Sequence, residues 1–172
     1  QNVLTAASES FVWGSTFVGL SGRPVAQQMP DARRPLGPHL ELARWAELVV
    51  VAPATADFLA RAAQGRSNDL LSTTLLATRA PVVVCPAMND AMYAHVQVQA
   101  NLAHLREILG YAVVGPAVGP LAVGEGEGPG RMVEPWQIVE HVGRALAQDP
   151  RWVGRTVLVT AGPTREAIDP VR

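Results

Sequence analysis

The chain has 172 residues, 48% of them hydrophobic, and a formal charge of −1: long enough for one domain with a real core, and without the basic face of a nucleic-acid binder. No apolar run approaches the roughly 18 residues of a membrane helix, the start lacks the pattern of a signal peptide, and the single cysteine, Cys85, excludes a disulfide framework or a multi-cysteine metal site, so a cytoplasmic protein with no membrane segment is expected. All 14 basic residues are arginine, which excludes a Schiff-base lysine and a Walker A lysine.

The sequence reads as cut at both ends, opening inside a strand tail at Asn2–Thr5 and stopping in a turn signal at Asp169–Arg172. Thr5 to Phe11 predicts a short helix, with Thr5 and Ser8 as N-cap types. Helical pattern resumes at Thr16–Leu20 and stops at Ser21-Gly22. Pro24 to Pro38 reads as a surface loop. His39 to Glu47 predicts a helix with Leu40 and Ala43 inward, and Ala46 a further candidate. Leu48–Ala52 predicts a buried strand that ends in Pro53-Ala54-Thr55-Ala56.

Thr55 to Gln64 reads as an alanine-rich helix, and Ser67-Asn68-Asp69 starts another through Ala77. Val82 to Cys85 is a β-branched run that stops at Pro86, a buried parallel strand. Val98, Leu102, Leu105 and Leu109 recur at helical spacing before Gly110. Tyr111–Val114 is the next strand. Pro116 to Gly130 is glycine-rich, too flexible for regular structure, and long enough to serve as a flap. Glu134-Pro135 starts a last helix with Ile138, Val139, Val142 and Leu146 inward. Thr156–Thr160 opens a further strand behind an Asp149-Pro150 linker. Strands alternating with helices predict a doubly wound parallel sheet, an α/β three-layer sandwich.

Two strands ending in Pro-Ala suggest two walls of one crevice, at the carboxyl ends where open α/β sheets hold their ligands. Asn89 is either a helix cap or an amide donor for a carboxylate or a flavin edge. Met88 is either core filling or packing for a flat ring. The Pro53–Ala56 turn is an anion cradle or simply a helix start. His39 is the best candidate base, since it opens a helix whose dipole works against a cationic ring; the alternative is a solvated loop histidine. His95, His104 and His141 read as surface residues, without metal-site spacing. Cys85 reads as core.

Taken in order, HLELARWA (His39–Ala46), APATA (Ala52–Ala56), GRSNDLLSTT (Gly65–Thr74) and PAMN with Met92 (Pro86–Met92) resemble the homo-oligomeric flavin-containing cysteine decarboxylases. Within them the match is to the branch acting on 4′-phosphopantothenoylcysteine in coenzyme A biosynthesis. The tail, VLVTAGPTREAIDPVR (Val157–Arg172), resembles the start of the phosphopantothenate–cysteine ligase domain that many bacteria fuse behind the decarboxylase. The resemblance implies a flavodoxin-like decarboxylase domain over residues 1–149, its first strand–helix unit missing, then a linker and first ligase strand over 150–172.

It also implies roles. His39 would be the catalytic base, and Asn89 would hold the substrate carboxylate beside Met92. Thr5, Pro53, Ala54, Thr55, Ala56, Ala87 and Met88 would line FMN. Gly119 to Met132 would close over the substrate. The cofactor would be FMN, with CTP and Mg2+ expected for the ligase part; no metal is expected in the decarboxylase. A trimer-based oligomer with the site between subunits is implied. The chemistry would be oxidation of the thiol-bearing carbon to a thioaldehyde, loss of CO2, and re-reduction to 4′-phosphopantetheine. With no lysine for pyridoxal phosphate, a flavin is the electron sink that such a decarboxylation needs.

The flap often reads Ala-Cys-Gly in the family, its cysteine the expected proton donor. Here it is Ala122-Val123-Gly124, so water or a flap residue such as Glu125 would donate instead. Tyr93 replaces a common tryptophan. A peptidyl-cysteine decarboxylase of the same fold is the rival enzyme, against which the ligase-like tail argues. A non-catalytic regulatory relative is the rival from another class, against which His39 and Asn89 argue.

Overall fold

A computed structural model describes residues 1–27 and 37–147. The expected strand at Thr156–Thr160, the ligase-like tail and most of the Pro24–Pro38 loop lie outside the described residues.

The centre is a parallel sheet in the order β1 (Val49–Ala54), β2 (Val82–Pro86) and β3 (Ala112–Val113). β2 lies in the middle and is buried along its whole length. Its alternating side chains explain the layering. Val82 and Val84 pack into one cluster with Val51, Phe58, Leu59, Leu75, Leu102 and Leu105. Val83 and Cys85 pack into a second cluster with Val114 and Val133, against Met132 and Ile138. Two apolar faces on one strand therefore give the three-layer α/β sandwich expected, with α4 (Ala56–Ala63), α5 (Leu70–Ala77) and α7 (Val96–Glu107) on the first face and α8 (Pro135–Leu146) on the second. Fully burying side chains such as Leu59 or Leu102 contributes about 1.5–3 kcal/mol each.

The remaining helices are short. Thr5 caps α1 (Ala6–Glu9), and α2 (Gly14–Ser21) ends on Gly22 as the sequence suggests. The strand tail at Asn2–Thr5 is reduced to a single parallel bridge, Val3 with Ala26. In α3 (Pro38–Trp45) Pro38, Leu42 and Ala43 are buried, with Leu40 half-buried. α6 (Asp90–Ala94) follows the PAMN turn.

Four expectations are corrected. β1 runs to Ala54 rather than Ala52, and among the described residues it pairs with β2 alone, leaving Val50 38% exposed. α7 stops at Glu107, which leaves Leu109 beyond the helix and partly exposed. In α8, Val139 and Leu146 are 69% and 54% exposed. Periodicity identifies an apolar face, not how much of it the sheet covers, and Ile138 is the α8 residue that reaches the core.

The glycine-rich stretch is the fourth. It forms an antiparallel hairpin, β4 (Ala117–Pro120) with β5 (Glu127–Arg131). Backbone bonds hold it where side chains are few. The Leu121 N–H donates to Gly126 O (2.9 Å) and the Glu125 N–H to Ala122 O (2.9 Å), closing the tip.

Candidate functional site

The crevice forms where β1 and β2 end side by side. Ala54 pairs with Pro86 across a register shift in β1, and the Ala87 N–H donates to Ala54 O at 3.0 Å. That bond fastens the PAMN turn to the Pro-Ala-Thr-Ala turn. Pro53 and Thr55 are exposed, Ala54 is fully buried, and Ala87, Met88 and Asn89 are half-buried. Met88 also packs against the first core cluster, so its core reading holds.

Thr55 starts α4 as its N-cap. Its Oγ1 accepts from the Phe58 N–H (3.3 Å) and its carbonyl from the Leu59 N–H (2.9 Å). The first-turn N–H groups of Ala56 and Asp57 precede the helix's own ladder, as at any helix start.

Asn89 combines both readings the sequence left open. It caps α6, its Oδ1 accepting from the Ala91 N–H at 2.8 Å. Its Nδ2 is then the free edge, and it donates to Glu125 Oε2 of the hairpin tip at 2.9 Å. Met92 lies on α6, about half exposed. Tyr93 packs against the core, so the aromatic change there is accommodated.

The hairpin docks on the same turn, which sequence reasoning missed. The Met88 N–H donates to Gly130 O at 3.0 Å. A Cβ on Gly130 would fall 2.1 Å from Met88 O, and one on Gly128 would fall 2.9 Å from the Asp90 Cβ. Only glycine permits that approach. The Gly-Pro-Gly spacing ahead of Arg131 was the available signal. Val123 stands fully exposed at the tip.

His39 sits at the start of α3. Its ring lies over Gly37, and its Nδ1 is buried with no hydrogen-bond partner among the described residues. The bonds of Thr5 stay within α1. Neither residue is hydrogen-bonded to the crevice, so within one chain the structure joins Pro53–Ala56, Ala87–Asn89 and the hairpin, but not His39 or Thr5. His95, His104 and His141 are exposed as expected. Cys85 is fully buried, and burial pushes its thiol pKa up, which suits packing rather than reaction.

Behind the crevice, Arg61 bonds Asp57 (3.0 Å), Asn68 (2.8 Å) and Asp69 (2.7 Å), fixing the loop between α4 and α5. A broad cavity of about 610 Å³ lies elsewhere, along Glu9, Trp13, Val18 and Gln27. It shares no residue with the crevice and gathers none of the polar groups that the crevice does. Among the described residues, no helix is long and apolar enough to cross a membrane, and no acidic, histidine or cysteine group could hold a metal.

Residues 1–147 match the flavoprotein family. The chain belongs to that family. Residues 152–172 match the DNA/pantothenate metabolism flavoprotein C-terminal domain. The chain is 50% identical, over its full length, to the coenzyme A biosynthesis bifunctional protein CoaBC of Vibrio cholerae, and spans 43% of that relative's length. Among solved structures, it is 32% identical to the FMN-dependent cysteine decarboxylase SpaF, covering 85% of this chain and 77% of that one with a TM-score of 0.72. It is 31% identical to a mutant PPC decarboxylase complexed with pantothenoylaminoethenethiol, covering 81% and 79% with a TM-score of 0.69.

The flavoprotein crevice fits FMN in its chemistry. The groups it presents, Pro53, Ala56 and Ala87, are small and uncharged, and Met88 adds a polarizable edge, which suits a flat aromatic ring.

Proposed function

We propose that this chain is the decarboxylase part of a bifunctional enzyme of coenzyme A biosynthesis, removing CO2 from 4′-phosphopantothenoylcysteine to give 4′-phosphopantetheine. The observation that carries the reading is the Ala87–Ala54 bond, which brings the PAMN and Pro-Ala-Thr-Ala turns together at the carboxyl ends of adjacent strands. The resemblance to the bifunctional relative and to cysteine decarboxylases points the same way.

Pro53–Ala56, Ala87 and Met88 would hold the FMN ring, with Thr5 near it. Bound FMN would supply the two-electron oxidation of the thiol-bearing carbon that makes the carboxylate labile, and its reversal. Asn89 would hold the substrate carboxylate with its Nδ2 edge, since its Oδ1 is committed to α6. Met92 would flank the substrate. His39 would act as base. The hairpin would close over the site and keep water out.

The decarboxylase part would occupy residues 1–149, with 150–172 opening a ligase domain that uses CTP and Mg2+. The protein would be a homo-oligomer, trimer-based, with each site shared between subunits. A cytoplasmic location suits this pathway. The test is the full-length protein incubated with 4′-phosphopantothenoylcysteine. A yellow, FMN-bearing protein that releases CO2 and forms 4′-phosphopantetheine is expected. A flavin-loaded protein that leaves this substrate untouched overturns the reading.

A further inference from the structure

We propose that Glu125 is a specificity-determining residue: a carboxylate of the chain itself that rests on Asn89 where the substrate's carboxylate is to bind, so that the acid must displace it and binds more weakly for doing so, while the decarboxylated product does not compete with it. The proposal rests on Asn89 as the group that holds the substrate carboxylate.

Three observations place Glu125 in that role. The Asn89 Nδ2 donates to Glu125 Oε2 at 2.9 Å, the contact a bound carboxylate would make. The Asn89 Oδ1 accepts from the Ala91 N–H at 2.8 Å, an N–H that Asp90 Oδ1 shares at 2.7 Å, and this turns the Nδ2 edge outward. Glu125 occupies that donor edge. Finally, the hairpin is anchored at its base by a bond to the PAMN turn, and its tip is held by its own backbone bonds, Leu121 N–H to Gly126 O and Glu125 N–H to Ala122 O, both 2.9 Å. Met88 and Gly130 are bonded at 3.0 Å, whereas Gly124 (φ 88°) and Gly126 (φ 78°) flank Glu125 with open space around both. Glycine at both positions allows the positive φ that turns Glu125 toward Asn89.

An amide nitrogen has two hydrogens, so two acceptors could in principle share it. Two carboxylates at one neutral donor repel each other. The nearest arginine on the hairpin, Arg131, is already paired with Glu134 at 2.6 Å. An incoming acid therefore takes the place of Glu125. Once CO2 has left, the product has no carboxylate to compete, and Glu125 returns to Asn89.

The test uses the full-length, FMN-loaded protein and two unreactive ligands. One is the seryl counterpart of the substrate, with a hydroxyl for the thiol and the carboxylate retained. The other is its ethanolamine counterpart, which lacks the carboxylate. Dissociation constants are measured by calorimetry for the wild type, Glu125→Ala, Glu125→Gln and Asn89→Ala, each checked for bound flavin by absorbance. Loss of a competing charge-assisted hydrogen bond predicts that Glu125→Ala binds the seryl ligand about threefold to tenfold tighter, while the ethanolamine ligand changes by less than about twofold. Glu125→Gln, which keeps an acceptor but no charge, falls between. Equal or weaker binding of the seryl ligand by Glu125→Ala overturns the proposal. If Asn89→Ala leaves the preference for the seryl ligand unchanged, Asn89 does not hold the carboxylate, and the reading beneath the proposal fails with it.

Discussion

Single side chains carry the proposed chemistry, and single atoms test it. General acid–base catalysis contributes about 10²–10⁴-fold. Replacing His39 by asparagine keeps a similar shape but removes the proton-exchanging ring. The full-length His39→Asn protein is expected to retain FMN absorbance and lose CO2 release by at least about 10²-fold. Unchanged turnover would remove His39 from the mechanism. Gly130 makes the complementary case, since it does no chemistry. Its missing Cβ lets Met88 N–H reach Gly130 O, and an added methyl would collide with Met88 O at 2.1 Å. Forcing the two backbones apart costs about 1–3 kcal/mol by the usual penalty for overpacking. Gly130→Ala should therefore lower the urea midpoint and weaken ligand binding together. A loss of stability with binding intact would mean that the hairpin's dock does not shape the site.

At the scale of elements, the loop behind the crevice hangs on Asp69. Burial works against its charge, but the Ser72 N–H, the Arg61 guanidinium and the Ser72 hydroxyl outweigh that and hold its pKa below the ordinary aspartate value of 3.8. A carboxylate with a depressed folded-state pKa binds fewer protons folded than unfolded as pH drops. Its contribution is whole above about 3.8 and is lost as pH falls through the lower folded value. Asn is also a good N-cap, so Asp69→Asn removes the charge while keeping the cap of α5. The variant should unfold at lower urea than the wild type at pH 7, and the gap should narrow below pH 3.8. A gap that stays constant into acid would assign the effect to the cap and not to the charge.

Elements also show what the sequence could and could not reveal. β2 was legible because Val82, Val83 and Val84 are β-branched and end on a proline. α5 was legible because Asp69 and Ser72 are local capping chemistry. The β4–β5 hairpin was not, because pairs such as Gly119 with Gly128 leave no side-chain pattern and the strands are held by backbone bonds across the turn. In the crevice, the Asn89 cap follows from neighbours in sequence, while its bond to Glu125 spans 36 residues and needs the folded hairpin. Family resemblance supplied candidate roles that local pattern alone left open between cap, core and ligand.

The whole molecule poses a question that one chain does not answer by itself. His39 stands at the start of α3 and Asn89 between β2 and α6, and no hydrogen bond connects them. Large apolar side chains, Phe11, Trp13, Leu20 and Trp136, are mostly exposed on the single chain, more than scattered surface residues require. In the proposed oligomer, the base of one subunit would complete the carboxylate site of its neighbour. That arrangement makes a sharp prediction. His39→Asn and Asn89→Ala proteins are each expected to be inactive alone. Denatured together and refolded as a mixture, they would form some junctions where an intact His39 faces an intact Asn89. For random assembly at equal amounts, about a quarter of the junctions pair two intact residues, so activity should recover to about a quarter of wild type. A site built within one chain gives no such recovery, because every chain in the mixture still lacks one of the two residues. The same mixture thus separates a shared site from a private one, and size-exclusion with light scattering gives the number of subunits over which the sharing occurs.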